Sequence, residues 1–240
     1  MAPLIGITCY GRHETQVESR HYDAHYTLPA LYVDAVRRAG GTPVIVPPVD
    51  TDWDGLIARL DGFIIAGGAD IDPMHYDGNT NHPDLTDLAP DRDIAELGLV
   101  KALMQHGKRP TLLICRGMQV ANIVAGGTMT EHIPDIRTPD IHRDDTGGWT
   151  VQPVAVEQGT ALAKAMAAMQ VETYSGHHQA VAKVGQDLVV NAVAPDGIIE
   201  GLELPGHPFF LAVQWHPEMS AANDATQQNL FGALVEAAAQ

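Results

Sequence analysis

Cysteine is scarce in this chain, which has two such residues in 240, Cys9 and Cys115. Two cysteines on what read as separate strands allow neither a disulfide framework nor a paired CxxC zinc pattern, so the composition suits a reducing compartment. Positive charge is also short. Against 30 Asp and Glu stand 14 Lys and Arg, and a formal net charge of -16 works against a phosphate backbone or an anionic membrane as partner. No apolar run approaches the roughly 18 residues of a membrane helix. The start, Met1-Ala2-Pro3-Leu4-Ile5-Gly6, lacks a basic segment followed by an apolar core. The expectation is a cytoplasmic protein without nucleic-acid or membrane partners. Repeats, low-complexity tracts and linkers are missing too, so residues 1–240 are expected to form one domain.

The central feature is the stretch TLLICRGMQ, residues 111–119. A strand-length apolar run delivers Cys115 and passes directly into an amphipathic segment that ends before Gly126-Gly127, which reads as strand, sharp turn, helix. A cysteine at such a turn stands clear of the sheet edge and faces a helix N-terminus, which favours thiolate. The backbone N–H of the next residue, Arg116, is placed to donate to an oxyanion. Without further support, a buried core cysteine is an equally good reading of Cys115.

Upstream, strands are expected over 4–8, 43–47 and 62–66, with helices over 25–38 and 53–60 between them. The alternation is that of a doubly wound sheet. Residues 9–23 read as a polar loop, and 75–90 as a surface loop with no chemistry assigned. The third strand runs into Gly67-Gly68-Ala69-Asp70-Ile71-Asp72-Pro73, where paired glycines free the backbone to offer a second N–H to an oxyanion. A helix is expected over 91–107, the next over 116–125, and a long excursion over 134–148. Strand character at 150–156, 180–184, 188–195, 198–204 and 209–215 points to a mixed or antiparallel extension of the sheet. A helix over 223–239 closes the chain.

The second informative stretch is LAVQWHPE, residues 211–218, an apolar strand ending in His, Pro and Glu. In extended chain, positions i and i+2 share a side, which sets Glu218 beside the His216 ring. A carboxylate on one ring nitrogen fixes the tautomer and leaves the other nitrogen to take a proton from a nucleophile. Twelve histidines also keep metal chemistry open, with His142 and Asp144, or His177 and His178, as candidate ligands.

Together, ICRGMQ, QWHPE, the GGADIDP loop and GHHQAV at 176–181 resemble the class I glutamine amidotransferase superfamily, more narrowly its stand-alone branch of gamma-glutamyl-gamma-aminobutyrate hydrolases from putrescine breakdown. The resemblance spans nearly the whole chain. It implies an α/β fold with a doubly wound, mostly parallel, flavodoxin-like sheet flanked by helices and an antiparallel extension in the C-terminal half. It also implies Cys115 as nucleophile, His216 as general base and acid, and Glu218 as orienting carboxylate. The oxyanion hole would come from the N–H groups of Arg116 and of Gly67 or Gly68, and His177, His178 and Gln179 would face the substrate. The expected substrate is a small gamma-glutamyl amide, cleaved without metal or organic cofactor, and a homodimer is the assembly to test. One departure is Leu113, which stands where the superfamily usually has a small residue. Three rivals remain: a glutaminase that feeds ammonia to a synthase partner, a metal-dependent amidohydrolase, and a catalytically inactive binding protein on the same fold.

Overall fold

The computed structural model describes residues 1–11, 13–17, 20–48 and 52–240. The chain opens with β1 (Leu4–Thr8), β2 (His13–Val17), β3 (Arg20–His25), α1 (Ala30–Arg38), β4 (Thr42–Val46), α2 (Trp53–Arg59) and β5 (Gly62–Ile65). Then come α3 (Pro90–Ala102), β6 (Thr111–Ile114), α4 (Arg116–Val124) and β7 (Thr128–Thr130). The C-terminal half holds β8 (Thr150–Val156), α5 (Ala161–Met166), β9 (Gln170–Ser175), β10 (Ala180–Lys183), β11 (Val189–Val193), β12 (Ile199–Glu203), β13 (Phe210–Val213) and α6 (Ala225–Ala238).

Nine strands form one sheet in the order β4-β1-β5-β6-β13-β12-β11-β8-β9. Pairing is parallel from β4 to β13 and antiparallel from β13 to β9. β13 is therefore the seam between a doubly wound half and a meandering half. Alternation of side chains divides the core into two layers. Ile5, Ile7, Ile64, Leu112, Ile114, Leu211 and Val213 meet α1, α5 and α6 on one face. Phe63, Ile65, Leu113, Phe210 and Ala212 meet α2, α3 and α4 on the other. Burial on both faces explains why β5, β6 and β13 are unbroken apolar runs. No helix among the described residues is long and apolar enough to cross a membrane.

Several elements differ from expectation. Residues 9–23 are not simply a loop: β2 and β3 pair as an antiparallel ribbon, His13 opposite His25 and Val17 opposite Arg20. Residues 12, 18 and 19 of that stretch lie outside the described residues. α1 starts at Ala30, not at residue 25, because Pro29 occupies the N-cap and a proline biases the residue before it away from helical geometry. α3 stops at Ala102 and is followed by one wide turn, Leu103–Gly107. β10 leaves the main sheet and pairs with β7 in a two-stranded ribbon. β7, α5 and β9 were not foreseen.

Candidate active site

Cys115 sits at the turn between β6 and α4 with φ 51° and ψ -106°, a strained conformation for a residue with a Cβ. Its N–H still donates to Val213 O at 2.7 Å, so the chain leaves the sheet abruptly at this residue. The space comes from Gly117, where a Cβ would lie 2.4 Å from Ile65 O. That explains the Cys-x-Gly spacing. Leu113 does not obstruct the turn, since it packs on the opposite core layer from Cys115.

The loop after β13 brings His216 and Glu218 to the same rim. His216 N–H donates to Tyr174 O at 2.9 Å, and its Nδ1 lies 2.6 Å from Glu218 Oε1. Extended geometry is not the reason. Pro217 opens a single 3-10 turn, Pro217–Met219, that folds Glu218 back onto the ring. Its other face carries Trp149, whose indole stands edge-on at 4.7 Å between centroids and 88°. Burial alone would lower the imidazole's proton affinity, but the charges of Glu218 and Cys115 and hydrogen bonds to both raise its pKa from 6.5 to about 10. The ring is therefore wedged between a sulfur and a carboxylate, and both hold on to its proton. Gln214 Nε2 also approaches the Cys115 sulfur, at 3.6 Å, and Gln214 Oε1 lies 3.4 Å from Gln119 Nε2.

The third contribution is the loop after β5. Gly67 must lack a Cβ, which would stand 2.5 Å from His216 Cε1. Its N–H is already donated to the Tyr32 hydroxyl at 3.1 Å. Of the two glycines named as oxyanion donors, Gly68 is thus the one left with an uncommitted role. Arg92 Nη2 donates to the carbonyls of Ala66 and Gly67 at 2.9 and 2.8 Å. A trans peptide points its N–H opposite its C=O, so pinning the Gly67 carbonyl aims the Gly68 N–H away from Arg92. Arg92 Nε in turn bonds Glu96 Oε1 at 2.9 Å, and the buried Arg116 guanidinium bonds both Asp93 and Glu96. Burial and the neighbouring Arg92 lower the Arg116 pKa, offset in part by Asp93. The side chain of Arg116 thus holds the α3 carboxylates, one of which also holds Arg92, while its N–H stands beside Cys115.

A cavity of about 270 Å³ is lined by Cys115, Gly68, Asp70, Gln119, Thr86 and Asp87 together with Gly176 to Gln179. Asp87 and Thr86 belong to the 75–90 loop, which therefore does contribute to the site. His178 Nε2 lies 3.0 Å from Asp70 Oδ1, and Asp70 Oδ2 accepts from Thr86 N at 2.9 Å. His177 turns the other way: its Nδ1 lies 2.9 Å from Gln179 O and its ring lies tilted against that of His142, 4.8 Å between centroids and 49° between planes. His142 is not joined to Asp144, whose Oδ1 accepts from Thr146 and Gly148. It meets Asp196 and Glu200 instead. Tyr32, Arg92, Trp149 and Gln214 were missed by sequence reasoning. Only Arg92 carried a signal, an i,i+4 Arg–Glu pair on α3.

A nine-stranded sheet of this order with a cysteine turn at its centre is the fold of class I glutamine amidotransferase-like proteins. It superposes with a TM-score of 0.67 on a Thermoplasma acidophilum protein provisionally described as one component of a GMP synthase, over 99% of this chain and 94% of that one at 17% identity. The chain belongs to the Peptidase C26 family, whose model matches residues 3–218. A Mycobacterium tuberculosis protein provisionally named as a glutamine amidotransferase is 43% identical over 242 residues, covering 98% of this chain and 75% of that protein. The gamma-glutamyl-gamma-aminobutyrate hydrolase of Escherichia coli O157:H7 is 30% identical over 252 residues, covering 98% and 93%.

Proposed function

We propose that the protein hydrolyses gamma-glutamyl amides through a thioester on Cys115, with gamma-glutamyl-gamma-aminobutyrate or a related polyamine-derived amide as substrate. The observation that carries this reading is the His216 ring held between the Cys115 sulfur and Glu218 Oε1 at 2.6 Å. The reaction starts from the Cys115 thiolate, with the His216 ring beside the sulfur and the N-terminus of α4 next to it. The thiolate adds to the gamma carbonyl, and the oxyanion is taken by the N–H groups of Arg116 and Gly68. His216 gives its proton to the leaving nitrogen, the C–N bond breaks and the amine departs. The neutral ring then takes a proton from water as the hydroxide adds to the thioester, and collapse releases glutamate and the thiolate. Asp70 and Asp87 offer carboxylates to the substrate's α-ammonium within a cavity sized for an amino-acid head. The Escherichia coli relative supports the substrate class.

The test is Cys115→Ala, assayed on a panel of gamma-glutamyl amides alongside glutamine. Turnover should fall by about 1,000-fold or more with folding intact, and acid-quenched wild-type reactions should show a glutamyl adduct on Cys115 by mass spectrometry. Full activity of the variant refutes the mechanism. The Mycobacterium tuberculosis relative favours a second reading, an ammonia-donating glutaminase. That reading predicts glutamine at the head of the substrate ranking and near silence until a synthase is added.

A further inference from the structure

We propose that His142, His177 and Glu200 form a binding site for one divalent transition-metal ion of the zinc class. The three residues come from separate segments: the 134–148 excursion, the strap after β9 and the start of β12. All are buried, and one ligand atom from each lies within 4.8 Å of the others. Glu200 Oε1 is 3.0 Å from His142 Nδ1 and 3.4 Å from His177 Nε2. Tetrahedral ligands at zinc-like bond lengths stand roughly 3.3 Å apart, which the two carboxylate–imidazole separations match.

The hydrogen bonds around the cluster point the same way. His142 Nε2 lies 3.0 Å from Asp196 Oδ2 and His177 Nδ1 lies 2.9 Å from Gln179 O. Each imidazole therefore spends its N–H outward, on a carboxylate or a backbone carbonyl, which is how metal-bound histidines are held in one tautomer. The inner nitrogens, His142 Nδ1 and His177 Nε2, both face the Glu200 carboxylate. His142 Nδ1 and His177 Nε2, both set against Glu200 Oε1, are buried without a hydrogen-bond partner, and so is the second carboxylate oxygen, Glu200 Oε2, a costly state for buried polar atoms. Gln152 Nε2 donates to Glu200 Oε1 at 3.0 Å and fixes the carboxylate's orientation, but it reaches neither imidazole. A divalent cation satisfies all three groups at once, and two imidazoles with one carboxylate suit zinc, cobalt or nickel over magnesium or calcium. Because His177 also belongs to the wall of the Cys115 cavity, the ion would tie that wall to β12 and to the excursion. Binding of the ion there does not depend on the chemistry proposed at Cys115.

The experiment strips the full-length protein with a chelator and titrates it with Zn2+ against a competing indicator, then with Co2+ while recording visible absorption. One equivalent should bind, raise the melting temperature reversibly with EDTA, and give Co2+ the intense bands of four-coordination. Glu200→Gln and His142→Asn should weaken binding by about 100-fold or more. His82→Asn, in the separate His82–His132–His178 cluster, should leave it unchanged. Absence of a tight equivalent, Co2+ bands of six-coordination only, or equal binding by Glu200→Gln would each overturn the proposal. Should Glu200→Gln fail to fold, the wild-type stoichiometry and Co2+ spectrum decide alone.

Discussion

Gly67→Ala tests the packing of the site with one methyl group. The added Cβ would lie 2.5 Å from His216 Cε1 and 3.2 Å from both His216 Nε2 and the Tyr32 hydroxyl, where ordinary contact starts at 3.4 Å. The ring has little room to yield. Its Nδ1 is held by Glu218 at 2.6 Å, and the Trp149 indole stands against it at 4.7 Å. Relief therefore moves the imidazole by on the order of 1 Å, and a misplacement of that size costs about 100-fold in rate, or about 2.7 kcal/mol of transition-state stabilisation. Overpacking adds about 1–3 kcal/mol of folding cost. The assay is kcat and KM on the best gamma-glutamyl amide, with thermal unfolding in parallel. Gly232→Ala in α6 is the control, since nothing lies within 4 Å of its Cβ. It should keep full kcat and gain about 0.5–1 kcal/mol. Gly67→Ala turnover within about threefold of wild type would show that His216 does not need its present position, and the mechanism would fall with it.

Glu218→Gln should alter the pH dependence of stability. The His216 pKa is raised from 6.5 to about 10, so the pair's contribution is complete below pH 6.5 and drains away as pH rises towards 10. Thermal melts across that window should fall more steeply for wild type than for the variant; parallel curves would contradict the assignment. Arg116→Met strips Asp93 of its buried guanidinium while Glu96 keeps only Arg92, and should cost about 3–5 kcal/mol in denaturant unfolding. A cost below about 1 kcal/mol would mean the pairing is not formed as described. Asn122→Ala removes bonds from Nδ2 to Thr128 O and Lys183 O, both 3.1 Å, and from Gly185 N to Oδ1 at 2.8 Å. It should destabilise by about 2–3 kcal/mol, and a neutral result would show that α4 does not anchor the β7–β10 ribbon.

Much of the fold was legible because burial leaves periodic marks. β5, β6 and β13 are apolar on both faces and stand out as short unbroken runs, and the glycines after α1 and α4 mark where those helices stop. HETQV and RHYDAH in β2 and β3 have no such pattern, since a ribbon can form by backbone pairing alone. β9, QVETYS, does alternate, with burial on every second residue, and its period-2 pattern was there to be read. For the site, the sequence showed two local signals, the strand-to-helix cysteine and the His-Pro-Glu turn. What it hid was long-range. Tyr32 on the Gly67 N–H, Arg92 on the carbonyls of Ala66 and Gly67, and Glu200 between two histidines are contacts between distant segments that no local spacing encodes.

Arg92 and Arg116 grip Glu96 from two sides, and their other ends reach the Gly67 carbonyl and the residue beside the sulfur. The two amides that would receive negative charge are consequently rigged to one shared anchor inside α3. On the proposed mechanism, Glu96 is thus the single side chain whose loss would loosen both at once.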